Sequence, residues 1–178
     1  MKKFIKILPI LALIFFANQQ FAIAQKQPTK ITPKPKPEPV NANITNNIRL
    51  TSKGFKVAKA YLVYEDETPV LPDNKVDTNQ KVILRLIIDS GWTNLEQKAY
   101  PGASEKIVML TGEIILKEDD LFSSYTETGV DINDAKYISL MAVITKMDYK
   151  KRQVIVSFKV WDKKGESTIT GSYKLFIK

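Results

Sequence analysis

Hydrophobic and polar residues alternate with a period of two at the C-terminal end of the chain, residues 152–178 (RQVIVSFKVWDKKGESTITGSYKLFIK). Val154, Val156, Phe158 and Val160 fall on one face of an extended segment, and Ile169, Gly171, Tyr173, Leu175 and Ile177 repeat the pattern after a break. Within the break, Asp162 opens a turn and Gly165 tolerates a positive φ, so the two runs predict an antiparallel hairpin. The same period marks further strands upstream. Residues 55–64 (FKVAKAYLVY) are rich in β-formers with apolar side chains on both faces, which predicts a covered or bulged strand. Residues 81–89 (KVILRLIID) are almost continuously aliphatic and predict a central strand. Residues 106–116 resume strand character, with Gly112 breaking them in two, and residues 138–145 (ISLMAVIT) add another strand.

Between these runs lie segments with turn chemistry. Residues 65–69 end one strand, and Pro72, Asp73 and Asn74 form a turn. Residues 90–103 (SGWTNLEQKAYPGA) are expected to be a loop. Residues 119–125 predict a single helical turn, with Asp119 or Asp120 capping its amides. Six or more strands with short connections and no long amphipathic helix predict an all-β fold, an antiparallel two-sheet β-sandwich of immunoglobulin-like character over residues 41–178.

The first 24 residues follow another logic. Lys2, Lys3 and Lys6 precede an apolar run from Ile7 to Ala17, and Ala22-Ile23-Ala24 supplies a small-x-small cleavage site. This is the layout of a secretory signal peptide, and the run is shorter than the roughly 20 residues a membrane span requires. The expectation is an exported, soluble protein, periplasmic or extracellular, with no membrane span after cleavage. The chain contains no cysteine, so no disulfide or lipidated N-terminal cysteine is available. Residues 25–40 (QKQPTKITPKPKPEPV) alternate proline with lysine and predict an extended, disordered Pro/Lys linker. Their Lys-Pro and Glu-Pro repeats resemble the periplasm-spanning linkers of energy-coupling envelope proteins.

The final hairpin, with Val160-Trp161-Asp162-Lys163-Lys164-Gly165 followed by Gly171-Ser172-Tyr173, resembles the last hairpin of bacterial secreted immunoglobulin-like and fibronectin-like domains. The resemblance implies a β-sandwich and carries over no functional residue.

The net charge of +8 is concentrated at the N-terminus. Residues 41–178 hold 20 basic and 18 acidic residues, a net of +2. With both signs interspersed along the sequence, a one-sided phosphate-binding footprint is not expected, and no nucleic-acid partner is read. The chain also lacks histidine, which together with the missing cysteine removes the usual Ser-His-Asp, Cys-His and His-zinc arrangements, so no enzyme activity is expected. No cofactor or metal is expected: calcium is the one with suitable hard-oxygen residues, at Asp73-Asn74, Asp119-Asp120 and Asp131-Ile132-Asn133-Asp134, but none has EF-hand spacing, and Asp131 and Asp134 more simply cap a turn.

Two functions fit these features. One is a non-catalytic cell-envelope interaction or structural module that meets an envelope or extracellular protein through a sheet edge or end loops. The alternative is a carbohydrate-binding module that stacks exposed loop aromatics on polysaccharide. Trp92, Tyr100 and Tyr125 are the ligand-binding candidates, and Trp161 is set aside as a strand-end residue.

Overall fold

A computed structural model describes residues 43–145 and 152–178. The expected signal peptide (1–24) and Pro/Lys linker (25–40) lie outside the described residues. In order the chain forms β1 (Asn43–Ile44), β2 (Arg49–Lys53), β3 (Lys56–Tyr64), β4 (Lys75–Val76), β5 (Lys81–Ser90), β6 (Lys98–Ala99), β7 (Pro101–Met109), β8 (Ile114–Glu118), β9 (Val130–Asp131), β10 (Tyr137–Val143), β11 (Gln153–Asp162) and β12 (Thr168–Ile177). Two 3-10 turns, Ser123–Tyr125 and Asp134–Lys136, interrupt the longer connections.

The strands make two principal sheets. The smaller runs β1-β3-β5-β10; the larger runs β2-β12-β11-β7-β8, with β4 also beside β12. The chain is an all-β sandwich. Its long pairings are antiparallel, and among the described residues only the two-residue contacts β1–β3 and β4–β12 are parallel. Among the described residues no helix is long and apolar enough to cross a membrane.

The alternation read in the last hairpin holds. Val154, Val156 and Val160 on β11 and Ile169 and Leu175 on β12 are fully buried, facing Ala60, Leu62, Leu84, Leu86, Ile88 and Leu140 of the other sheet within one core cluster. Each large aliphatic side chain buried this way contributes roughly 1.5–3 kcal/mol. The aliphatic strand β5 is central, between β3 and β10, and β3 carries register shifts near Val57 as its two-sided apolar pattern predicts. Gly112, at φ 91°, turns the chain between β7 and β8.

The expected loop over 90–103 is shorter than its composition suggests, because β7 starts at Pro101. Pro101 pairs with Asp162 at the first position of the strand, where a missing N–H is tolerated. The helical turn expected over 119–125 is a 3-10 turn at Ser123–Tyr125. Asp120 prepares it by accepting the backbone N–H of Phe122 at 3.0 Å and that of Ala103 at 3.3 Å.

Two asparagines tie the layers together at one edge. The buried Asn46 accepts the Leu62 N–H at 3.1 Å on β3 and donates to the Val70 carbonyl at 2.9 Å, and Asn74 donates to the Lys174 carbonyl on β12 at 2.9 Å. Both sit in the left-handed region, φ 55° and 54°, which Asn tolerates better than most residues.

Candidate functional site

The turn joining β11 and β12 anchors one end of the sandwich. Asp162 is buried, and its carboxylate accepts the Thr93 N–H at 2.7 Å and the Lys164 N–H at 2.9 Å. Ser167 donates to the Gly91 carbonyl at 2.7 Å, so the 91–93 segment is pinned to the hairpin. On the other side the Lys163 N–H donates to the Tyr100 carbonyl at 2.8 Å. The Lys163 ammonium meets Asp120 at 2.7 Å and donates to Thr126 Oγ1 at 2.7 Å and the Phe122 carbonyl at 3.0 Å. Burial opposes ionisation of the Asp120 carboxyl, but the hydrogen bond from Lys163 and those from the Phe122 and Ala103 N–H groups together hold it below its ordinary range.

The segments that carry the three loop aromatics are bonded to this turn, with different exposures of the rings. Trp92 is half-buried, packs against the core and meets Phe55 edge-on at 4.5 Å between ring centres; its Nε1 is buried without a partner among the described residues. Tyr100 is half-buried under the Lys164 ammonium, 5.0 Å from the ring centre. Tyr125 is exposed at 42 % and tilts against Phe122 at 6.3 Å. The turn gathers their backbones, but the rings do not form one platform.

The acidic loop residues are engaged locally. Asp73 pairs with Lys75 at 3.3 Å, Asp119 with Lys117 at 2.8 Å, and Asp131 accepts the Asn133 N–H at 2.8 Å. Among the described residues no three metal-ligating side chains converge.

The outer face of the larger sheet orders side chains that are scattered in sequence. Register aligns Arg49, Ser172, Ser157, Lys106 and Lys117 across β2, β12, β11, β7 and β8, with Thr51, Thr170, Lys159 and Ser104 in the adjacent row. Thr51 and Thr170 share a hydrogen bond of 2.9 Å between hydroxyls. Ser104, Lys106, Lys117, Ser157 and Lys159, together with Glu118 and Asp119, line a shallow depression of about 260 Å³. Beside it Trp161 pairs with Gly102, where a Cβ would collide with the indole, so the ring lies across the glycine. The Lys159 ammonium is 5.4 Å from the Trp161 ring centre. Trp161 is the residue that sequence reading undervalued. The period that buries Val160 places Trp161, Lys159 and Ser157 together on the opposite face.

The smaller sheet has a different outer face. Tyr61–Arg85–Ser139, Val63–Ile83–Met141 and Lys59–Ile87–Tyr137 form rows across β3, β5 and β10. Arg85 is held by Ser139 Oγ and the Glu67 carboxylate. Tyr137 is 67 % exposed and Met141 46 % exposed, both on β10 at the end of the sheet.

Inside the sandwich, Glu105 on β7 is buried, and both carboxylate oxygens lack a hydrogen-bond partner among the described residues, as does the buried Tyr173 hydroxyl. Burial pushes the Glu105 carboxyl up to about 7. Burial, then the Glu105 charge, pushes the Tyr173 phenol well above its usual value.

No family model matches the chain. No curated protein matches it. Among solved structures the chain is similar to the crystal structure of the C-terminal domain of wzt, at 10% identity over 82% of this chain and 82% of that one, with a TM-score of 0.45.

Proposed function

We propose that this is a non-catalytic, exported cell-envelope protein whose β-sandwich makes protein–protein contacts, receiving an extended segment of a partner along β10. The observation that carries this reading is the character of that strand. β10 runs for seven residues, YISLMAV, ends the sheet, and holds no charge, proline or register shift. Sheets ordinarily blunt such edges with lysines, prolines or bulges, because a row of free N–H and C=O groups templates another strand. A partner strand would gain main-chain hydrogen bonds there and pack side chains beside Tyr137 and Met141, the arrangement of β-strand addition. The reading is non-catalytic because the chain holds neither histidine nor cysteine, and its buried acids among the described residues are Glu105, in the core, and Asp162, whose carboxylate is taken up by backbone N–H groups. Export rests on the signal-like residues 1–24.

The test compares the full chain with its Met141→Lys and Tyr137→Lys variants for retention of envelope proteins. Both side chains are exposed, so thermal stability should hold within about 1 kcal/mol. Crosslinks from β10 to a retained protein, lost in both variants, are expected; equal retention by all three forms would refute the reading.

A further inference from the structure

We propose that the outer face of the larger sheet is a binding surface for an anionic polysaccharide, one bearing carboxylate or phosphate groups, on the side of the sandwich away from the smaller sheet. Outward strand positions on this face carry Arg49, Lys53, Lys106, Lys117, Lys159 and Lys174, and none carries an acid. Of the carboxylates on the same strands, Glu105 and Asp162 are buried, and Glu118, in register with Glu105, is exposed at the β8 border of the depression. Two cations are neutralised from beyond the strands, Lys53 by Glu166 at 3.1 Å and Lys117 by Asp119 at 2.8 Å. Among the described residues Arg49, Lys106, Lys159 and Lys174 have no carboxylate within ion-pair distance. A domain that is nearly neutral overall thus gathers four cations without carboxylate partners on one face, with Glu118 and Asp119 confined to its β8 border, and this excess attracts an anionic chain and is screened by salt.

The remaining chemistry favours sugar. The row from Arg49 to Lys117 crosses five strands, roughly 19 Å at about 4.8 Å per strand, which suits an extended polymer lying across them. Ser104, Ser157, Ser172 and Thr170 stand between the cations and can exchange hydrogen bonds with saccharide hydroxyls. Trp161, flat over Gly102, offers one apolar ring flush with the surface against which a sugar face stacks. A duplex or a bilayer would use the charge and leave the ring and the hydroxyls idle.

The experiment uses the full chain against immobilised polygalacturonate, with neutral dextran, duplex DNA and phosphatidylglycerol vesicles as comparators, at low and physiological salt. The variants are Lys106→Ser with Lys159→Ser, Trp161→Ala and Trp161→Phe, each checked by thermal melting; Lys98→Ser, outside this sheet, is the control. Polygalacturonate should be retained at low salt, about ten-fold more weakly by the double lysine variant and by Trp161→Ala, and nearly normally by Trp161→Phe and the control. Equal retention of dextran would remove the anionic requirement. Preferred retention of DNA or vesicles would make the face a nucleic-acid or membrane surface instead. Each of these results overturns the proposal, as does binding that survives the face variants. Loss in Trp161→Phe equal to that in Trp161→Ala would deny the stacking role and overturn it too.

Discussion

Asn46 Nδ2 donates to Asn74 Oδ1 at 3.0 Å, and Asn74 Nδ2 donates back to the Asn46 carbonyl at 2.7 Å. This reciprocal pair is buried and joins the connections that flank β2 and β4. Asn74→Ala would take the Asn74 amide from the Asn46 and Lys174 carbonyls, leave the Asn46 amide only its bonds to the Val70 and Leu71 carbonyls, and place a Cβ-bearing residue without a local hydrogen bond at positive φ. The expected loss is about 3 kcal/mol in urea or thermal unfolding. A loss below about 1 kcal/mol would mean the pair is incidental.

The β11 register makes a sharper comparison between adjacent residues. Val156 is fully buried, while Ser157 faces outward among the lysines. Val156→Asp should cost on the order of 3 kcal/mol or more by burying an unpaired charge, whereas Ser157→Asp should stay within about 1 kcal/mol. Equal losses on melting would put the register in error.

Glu105 makes stability depend on pH. Its carboxyl ionises near 7 in the folded chain, against 4.5 when unperturbed, so over that interval the folded state binds more protons than the unfolded state. The associated stability is fully present below about 4.5 and is lost as pH rises through about 7, on the order of 3 kcal/mol in all. Wild type should therefore melt higher at pH 5 than at pH 8, and Glu105→Gln should flatten that difference and exceed wild type at pH 8. Parallel pH profiles for the two proteins would remove Glu105 as the cause.

Much of the fold was legible because the alternating period survives in the strands that matter. Val154, Val156, Phe158 and Val160 declared the inner face of β11, and the aliphatic run of β5 declared a central strand. The short strands were not legible. β2 is the polar RLTSK, whose place is fixed by pairing with β12, and β4, β6 and β9 are two-residue pairings. The reach of Asn46 and Asn74 was hidden because Asn74 reads locally as a turn residue. Among the candidate aromatics, the sequence placed Trp92, Tyr100 and Tyr125 in loop-like segments without revealing that the hairpin turn draws those segments together or that Phe55 meets Trp92 edge-on. Charge was the largest omission: signs interspersed along the chain are sorted by the sheet, and register alone brings Arg49, Lys106 and Lys117 into one row.

Gly102 bears on that face directly. A Cβ at this position would drive into the Trp161 indole, and Gly102 lies on β7, paired in register with Trp161 of the central strand β11. Gly102→Ala should tilt the ring away from the sheet, shifting the indole's fluorescence and costing about 1–3 kcal/mol. Unchanged emission and stability would show that the ring does not rest on Gly102.

Amide hydrogen exchange along β10 distinguishes an edge that receives a partner strand from one that does not. In the free protein the outward N–H groups of residues 137–143 should exchange faster than those paired with β5, since a free strand edge leaves them open to water. When a partner protein binds the full chain, those outward amides should slow while amides on β2, at the edge of the larger sheet, stay unchanged. Protection that leaves β10 untouched would contradict strand addition at this edge.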